Sequence, residues 1–178
     1  MLAYLFVLLA VAVHIRWIAL PFSFTPVLAA LLYFGARMPR KQMWIPVAML
    51  AVSDVYLTRV TYGYSITPDH FVTWGFYAAM ILLGGALIKG FSPLRIGAST
   101  LIGSVSFFLI SNFSVWLAYT MYPKTLNGLA ACYVAGIPFF RNALASDLVF
   151  TAAFFAIGYF ASQRSSAGLA LPAAQRNK

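Results

Sequence analysis

The stretch that decides the fold is IGASTLIGSVSFFLISNFSVWLAYTMY, Ile96–Tyr122, which contains no charged side chain. A helix that crosses the hydrocarbon core of a bilayer needs about 20 apolar residues, so this stretch is long enough to cross. Five further apolar stretches predict five further helices: Ala3–Leu20, Pro26–Met38, Met43–Leu57, Phe71–Ile88 and Leu144–Ser162. The sequence therefore predicts an all-α, polytopic membrane protein with six transmembrane helices.

The composition of the whole chain agrees with this class. Of its 178 residues, 62% are hydrophobic and 8% are charged, whereas a soluble domain has about a quarter charged residues. These values exclude a soluble globular protein, a disordered chain and a secreted disulfide scaffold. The single cysteine, Cys132, forms no internal disulfide. Nucleic acid is not expected as a partner, because too few charges are present to cover a phosphate-binding face. The expected surroundings are the lipid bilayer.

The cations of the chain predict its orientation. There are 12 Lys or Arg against 3 Asp or Glu, a formal charge of +9, and Lys and Arg are enriched in cytoplasmic loops. With six spans and both termini cytoplasmic, eight cations fall on the cytoplasmic side and four on the other. A further span at Thr125–Phe140 would erase this preference, so we interpret that segment as an outer-face loop with a short helix. Residues 1–164 then form a single transmembrane domain, and Ser165–Lys178 form a disordered cytoplasmic tail.

Polar side chains gather toward the outer side of this topology. An ionisable group within a span is costly and usually faces a water-filled cavity or a partner. We therefore predict an outward-facing pocket, whose candidate substrate-binding residues are His14, Arg16, Asp54, Asn112, Trp116, Tyr119, Tyr133, Arg141, Asn142 and Asp147. Aromatic rings suit this pocket, because they stack on flat ligands and attract cations. The rings expected there are those of Trp17, Tyr56, Trp74, Trp116, Tyr119 and Tyr133.

The two aspartates within predicted spans also have structural interpretations. Asp54 lies about one turn before the outer end of the third helix, where a salt bridge to Arg16 or Arg59 would neutralise it. Asp147 lies near the start of the sixth helix, where an acidic side chain is favourable as a cap. Each aspartate is thus either a ligand contact or a structural group.

Other candidates keep two interpretations as well. Asn112, Trp116 and Tyr119 are spaced i, i+4, i+7 and share one helix face. They either line the pocket or have structural roles, in which Asn112 forms hydrogen bonds between helices and Trp116 and Tyr119 lie at the membrane interface. Arg141 either binds an anion or extends to the interface. Tight packing without a functional role is predicted for Gly97, Ser99, Gly103 and Ser104.

No motif indicates a catalytic or metal centre. The sequence contains no G-x-x-x-x-G-K-[ST], G-x-S-x-G or H-E-x-x-H motif, and no spacing typical of a zinc site. Neither a cofactor nor a metal is therefore predicted, and the chain is not expected to be an enzyme. Two alternatives to transport stay open: an intramembrane enzyme that uses Asp54 and Asp147, and a non-catalytic membrane assembly subunit.

Several stretches resemble an uncharacterised bacterial family of integral membrane proteins assigned to transport. The resemblance covers residues 3–162. It is carried by Phe24–Val27, Ser53-Asp54, Asn112–Leu117, Tyr122–Leu129, Cys132-Tyr133, Ile137–Asn142 and Asp147-Leu148. It implies a multi-pass transport protein of the bacterial inner membrane.

More distantly, the layout resembles the S-components of energy-coupling factor (ECF) vitamin transporters. Those proteins have six helices and cytoplasmic termini, and they bind their substrate under the loops after helices 1, 3 and 5. The corresponding loops here, His14–Phe24, Thr58–His70 and Tyr122–Ala143, hold most of the polar residues. The resemblance implies binding of a small, vitamin-like micronutrient and an energising transmembrane or ATPase module as partner. The Ala-x-x-x-Ala motif with which many S-components dock such a module is absent from the first helix.

Overall fold

The computed structural model describes residues 1–16, 20 and 23–170, with side chains as far as residue 164. Within these residues the α-helices are α1 (Leu2–His14), α2 (Val27–Arg37), α3 (Trp44–Tyr56), α4 (Pro68–Leu87), α5 (Pro93–Ala118) and α6 (Leu126–Ala170). A 3₁₀ turn at Arg40–Gln42 precedes α3, and a π-helical turn at Leu57–Thr61 continues it. The described residues contain no strand, so the all-α class is confirmed for them.

Four helical stretches are long and apolar enough to cross a membrane. They are Arg40–Thr61, Pro68–Leu87, Pro93–Ala118 and Leu126–Arg164. The apolar helices α1 and α2 are shorter, with 13 and 11 residues. At a rise of 1.5 Å per residue they measure about 20 and 16 Å, against about 30 Å of bilayer hydrocarbon. The helices in the first two predicted spans therefore have about two-thirds and about half of the length that a span needs.

The last helix corrects the sequence-based prediction. The sequence predicts an outer loop over Thr125–Phe140 and a separate final span over Leu144–Ser162, whereas the structure has one continuous helix of 45 residues. The structure thus has one long apolar helical stretch, Leu126–Arg164, in place of a loop followed by a separate helix. Of the predicted tail, residues 165–170 continue α6, and residues 171–178 lie outside the described part of the chain.

Three residues favour a loop in the sequence but fit this helix. Gly128 lies in the first turn, where its N–H donates a 3.1 Å hydrogen bond to Thr125 Oγ1. Gly136 faces the side chain of Asn112 on α5 and permits close helix packing. Pro138 removes one backbone hydrogen bond, a loss that helices in apolar surroundings tolerate when neighbouring groups compensate.

The half-length helix α2 lies at the centre of the bundle. Its residues Leu28–Phe34 are all buried, and it packs against α1, α4, α5 and α6. Near its carboxyl end, Gly35 meets the backbone of Ile81, and Gly84 of α4 meets the backbone of Leu32. A methyl group at either glycine would overlap a backbone carbonyl, so this helix crossing requires glycine at both positions.

Because α2 is short, it fills only one half of the bundle. Its first turn packs beside the middle of α5, where Leu28 contacts Gly103, and it runs from there toward Tyr33, which packs on Gly158. In the described residues no helix fills the centre of the other half. We call that part the open half of the bundle; it comprises residues 68–80 of α4, 104–118 of α5 and 126–147 of α6.

Gly84→Ala is expected to destabilise the α2–α4 contact. The added methyl would overlap the Leu32 carbonyl, which moves only with its helix, so we expect unfolding to become easier by about 1–3 kcal/mol, as is typical of overpacking. Gly75→Ala on the same helix is the matched control, because nothing lies within 4 Å of its added methyl. The measurement is the midpoint of thermal unfolding in detergent. Equal midpoints for the two variants would contradict the close contact.

Candidate functional site

A cavity of about 340 Å³ lies in the open half of the bundle. The start of α2 forms its floor, and α4, α5 and α6 form its walls. The end of α1 and residues of the loop before α2 complete the lining. Small-molecule sites usually measure about 300–1,000 Å³, so this cavity has room for a small organic molecule.

The lining is mainly apolar and carries a few polar groups. Its apolar residues are Val27, Leu28, Leu31, Phe76, Met80, Phe107, Phe108, Gly136, Phe139, Phe140 and Ala143. Its polar residues are His14, Ser23, Thr25, Tyr77, Ser104, Ser111, Asn112 and Asp147. Apolar walls with a few placed polar groups are the usual composition of a ligand site. Among the described lining residues, Asp147 is the only Asp, Glu, Lys or Arg.

Asp147 is the acidic group of the cavity. It is buried, with a relative exposure of 7%, and Ser104 Oγ donates a 2.6 Å hydrogen bond to its Oδ2. Within the described part of the chain, no Lys or Arg lies at ion-pair distance from its carboxylate. Because a buried carboxylate without an opposite charge is costly, Asp147 is the side chain most in need of a further partner.

The position of Asp147 in α6 excludes the capping interpretation. A helix that began at Leu144 would place Asp147 in its first turn, but α6 begins at Leu126. Asp147 therefore lies in the helix interior, about six turns from the amino-terminal end. The neighbouring Ser146 joins α6 to the cavity floor, since its Oγ donates a 2.8 Å hydrogen bond to the Thr25 carbonyl oxygen.

Asp54 lies outside the cavity lining and has a tryptophan as its partner. Trp74 Nε1 donates a 2.8 Å hydrogen bond to Asp54 Oδ2. Arg16 and Arg59, both in the described residues, are not at ion-pair distance from it, so the salt bridge considered from the sequence is not present. The π-helical turn that follows α3 also places Asp54 about two turns before the end of the helical stretch, deeper than the sequence predicts.

His14 connects this region to the cavity. It belongs to the cavity lining, and its Nε2 is buried without a hydrogen-bond partner among the described residues. It is also close enough to Asp54 for an electrostatic interaction. A lining residue with a buried, unsatisfied ring nitrogen is a candidate for ligand contact.

Asn112 lines the cavity from α5. Its Nδ2 donates a 2.8 Å hydrogen bond to the Phe108 carbonyl oxygen one turn earlier. A methyl group at Gly136 would come within 2.6 Å of Asn112 Oδ1, so α6 packs directly on this amide. These two contacts hold the Asn112 side chain in place at the wall.

Trp116 and Lys124 belong to the connection between α5 and α6, outside the cavity lining. Lys124 Nζ donates hydrogen bonds to the carbonyl oxygens of Trp116, Leu117 and Tyr119, which lie at the end of α5 where carbonyls lack helical partners. Trp116 Nε1 donates a 2.9 Å hydrogen bond to the Pro123 carbonyl oxygen. The described contacts of both side chains thus cap a helix and shape a turn.

Tyr119 does not share a helix face with Asn112, contrary to the prediction from spacing. α5 ends at Ala118, and Tyr119 already has extended backbone geometry. Its hydroxyl donates a 3.0 Å hydrogen bond to Asp69 Oδ1, which ties the end of α5 to the start of α4.

The remaining candidates also lie outside the lining. The Tyr133 hydroxyl donates a 2.9 Å hydrogen bond to the Leu109 carbonyl oxygen. The predicted ring of Trp17 lies outside the described residues. Four further candidates have exposed side chains: Arg16, Tyr56, Arg141 and Asn142.

The DUF6580 family model, described as a family of unknown function, matches residues 1–171. The chain belongs to this family. No curated protein and no solved structure matches it. An uncharacterised family is what the sequence predicts, but the comparison shows no similarity of this DUF6580 member to transporters or to ECF S-components.

The sequence does not reveal the serine and the phenylalanines of this DUF6580 cavity. Ser104 is predicted as a packing residue, yet it binds Asp147, which lies 43 positions later in the chain. Four phenylalanines of the lining form two pairs: Phe76 and Phe107 with centroids 4.9 Å apart, and Phe108 and Phe140 with centroids 4.6 Å apart. The Ser104–Asp147 hydrogen bond and the phenylalanine pairs both depend on how the helices are aligned with one another. The only feature of the local sequence that indicates them is the dense Ser and Phe content of residues 104–114.

Ser104→Ala in this DUF6580 member is expected to destabilise the fold by about 1–3 kcal/mol, the cost of leaving a buried polar group without its donor. Ser106→Ala on the same helix is the control, since Ser106 is less buried and makes no contact with Asp147. Chemical or thermal unfolding in detergent compares the two variants. An unchanged stability in Ser104→Ala would show that Asp147 does not depend on this hydrogen bond.

Proposed function

We propose that this chain is a membrane transport protein that binds a small organic, vitamin-like micronutrient in an outward-facing pocket. The observation that carries the proposal is the cavity of about 340 Å³ in the open half of the bundle, with a buried acid on its wall. A charged side chain such as that of Asp147 is costly in apolar surroundings when no opposite charge lies near it. A cavity of this size beside the carboxylate supports a binding role.

The distribution of cations supports the outward orientation. Near the filled half of the bundle, Arg37 ends α2, Lys89 follows α4, Arg95 lies in the first turn of α5 and Arg164 lies in the last third of α6. Lys and Arg mark the cytoplasmic side, so the open half faces outward. The proposed topology has six helices with both termini cytoplasmic, and the membrane is the bacterial inner membrane. The pocket then lies under the connections after α1, α3 and α5, as in the S-components that the layout resembles.

Transport through this arrangement requires α2 to move. The helix lies directly beneath the cavity, and its contacts with α4 at Gly35 and Gly84 are made by backbone atoms. A bound molecule therefore has no path toward the cytoplasmic side until α2 shifts or the whole bundle reorients. The chain carries no nucleotide-binding motif, so the proposed energy source is a transmembrane or ATPase partner.

The alternatives considered from the sequence have less support. An intramembrane enzyme needs both carboxylates at one cavity, whereas Asp147 belongs to the lining and Asp54 is bound to Trp74 outside it. A non-catalytic assembly subunit has no need of a cavity with a buried acid.

Filling the cavity is expected to remove the bound molecule. Ala143 belongs to the lining, so Ala143→Phe would occupy the space of a ligand. Ala145→Phe is the matched control, because Ala145 lies on the same helix with an exposed side chain. Mass spectrometry of extracts from purified protein is expected to show a small organic molecule, in about one-to-one ratio, with the wild type and Ala145→Phe but not with Ala143→Phe.

Two results would contradict the proposal. One is a wild-type extract that contains only bilayer lipids. The other is equal retention of the molecule by Ala143→Phe and Ala145→Phe, which would place the binding site elsewhere.

The topology is tested separately by labelling single cysteines. In a Cys132→Ser background, Thr120→Cys in the α5–α6 connection is expected to react with a membrane-impermeant maleimide on intact cells. Ser92→Cys in the α4–α5 connection is expected to react only after the membrane is permeabilised, because positive loops are cytoplasmic. The reverse pattern would invert the proposed orientation.

A further inference from the structure

We infer that the cavity binds a small organic cation, whose ammonium or similar group is held by Asp147. This inference rests on the proposed function for its biological role. The class of ligand, however, is argued from the charges and rings of the cavity itself.

The charge of the cavity is opposite to that of the chain. The sequence has 12 Lys or Arg and 3 Asp or Glu, yet the described lining contains one Asp and no Lys or Arg. An anionic ligand would therefore meet an acid with no Lys or Arg to compensate it, and His14 is the one described lining residue that could carry a positive charge. A cationic ligand supplies the opposite charge that this buried carboxylate lacks within the described residues.

The hydrogen bond from Ser104 sets the direction in which a ligand approaches Asp147. Ser104 donates to Oδ2 at 2.6 Å, which fixes the carboxylate between α5 and α6. An N–H group of the ligand would donate to the carboxylate from the cavity side. A hydrogen bond between charged partners is about twice as strong as one between neutral groups, so charge and geometry favour the same class of ligand.

The phenylalanine pairs complete a site for a cation with an apolar body. Phe76 and Phe107 line the side formed by α4 and α5, and Phe108 and Phe140 line the side formed by α5 and α6. Aromatic faces attract ammonium groups within about 6 Å and also bury flat or alkyl groups. A small amine with a ring or a short alkyl body satisfies both requirements.

Three probes of similar shape test the charge preference directly. They are 2-phenylethylammonium, the neutral 2-phenylethanol and the anionic 3-phenylpropionate. Binding is measured by titration calorimetry at pH 7 with the whole chain purified in an uncharged detergent. The ammonium probe is expected to bind at least tenfold more tightly than the alcohol, and the carboxylate probe is expected to show no saturable binding.

Two aspartate variants locate the effect. Asp147→Asn keeps an acceptor for Ser104. It is expected to lower the affinity for the ammonium probe at least tenfold and to leave the affinity for the alcohol probe unchanged. Asp54→Asn makes the same charge change outside the lining and is expected to have no effect. If Asp147→Asn does not fold, Ala143→Phe replaces it and is expected to abolish binding of the ammonium probe.

The outcomes separate the two proposals. Three results would overturn the cation inference. The first is binding of the carboxylate or alcohol probe that is as tight as that of the ammonium probe, or tighter. The others are no saturable binding of the ammonium probe at millimolar concentration, and full affinity for it in Asp147→Asn. An anionic molecule that co-purifies with the wild type and is lost from Ala143→Phe would also overturn it, while leaving the transport proposal intact. Ammonium binding by a protein from which no small molecule co-purifies would support the cation site and contradict the micronutrient role.

Discussion

The close backbone contact between α2 and α4 is the constraint on which the rest of the structure depends. Gly35 and Gly84 let the two helices meet without intervening side chains, which fixes the half-length α2 at the centre of one half of the bundle. The longer α4, α5 and α6 must still pack along their whole length, so the other half encloses a space that no central helix occupies in the described residues. The cavity therefore follows from a mismatch in helix length.

Electrostatics gives this space its chemical character. The chain is strongly cationic, but no Lys or Arg belongs to the described lining of the cavity. The acid at the cavity wall has instead a serine hydroxyl as its described hydrogen-bond donor. Phenylalanine rings of the same lining lower the local polarity, which strengthens any electrostatic interaction made there.

The sequence predicts the class of this fold but not the pairing of its helices. Lengths of apolar stretches predict the helical class and six spans, and four of the six overlap a helical stretch long enough to cross a membrane. The continuous α6 is not predicted, since Gly136 and Pro138 are local breakers that become acceptable only when α5 packs against them. His14, Asn112 and Asp147 are predicted from the cost of burying polar groups, and all three lie in the lining. Ser104 could not be recognised, because its partner is defined by the register between α5 and α6.

The depth of Asp147 has an electrical consequence. Ser104, its hydrogen-bond donor, is close to the middle of α5, a helix of 26 residues that is long enough to cross a membrane. A charge bound beside it in a membrane would have crossed about half of the transmembrane field. Since one elementary charge moving through the whole field changes the energy by about 2.3 kcal/mol per 100 mV, the membrane potential would contribute about 1 kcal/mol per 100 mV to occupancy of the cavity. An energised membrane would thus load or empty this site without any change in its contacts.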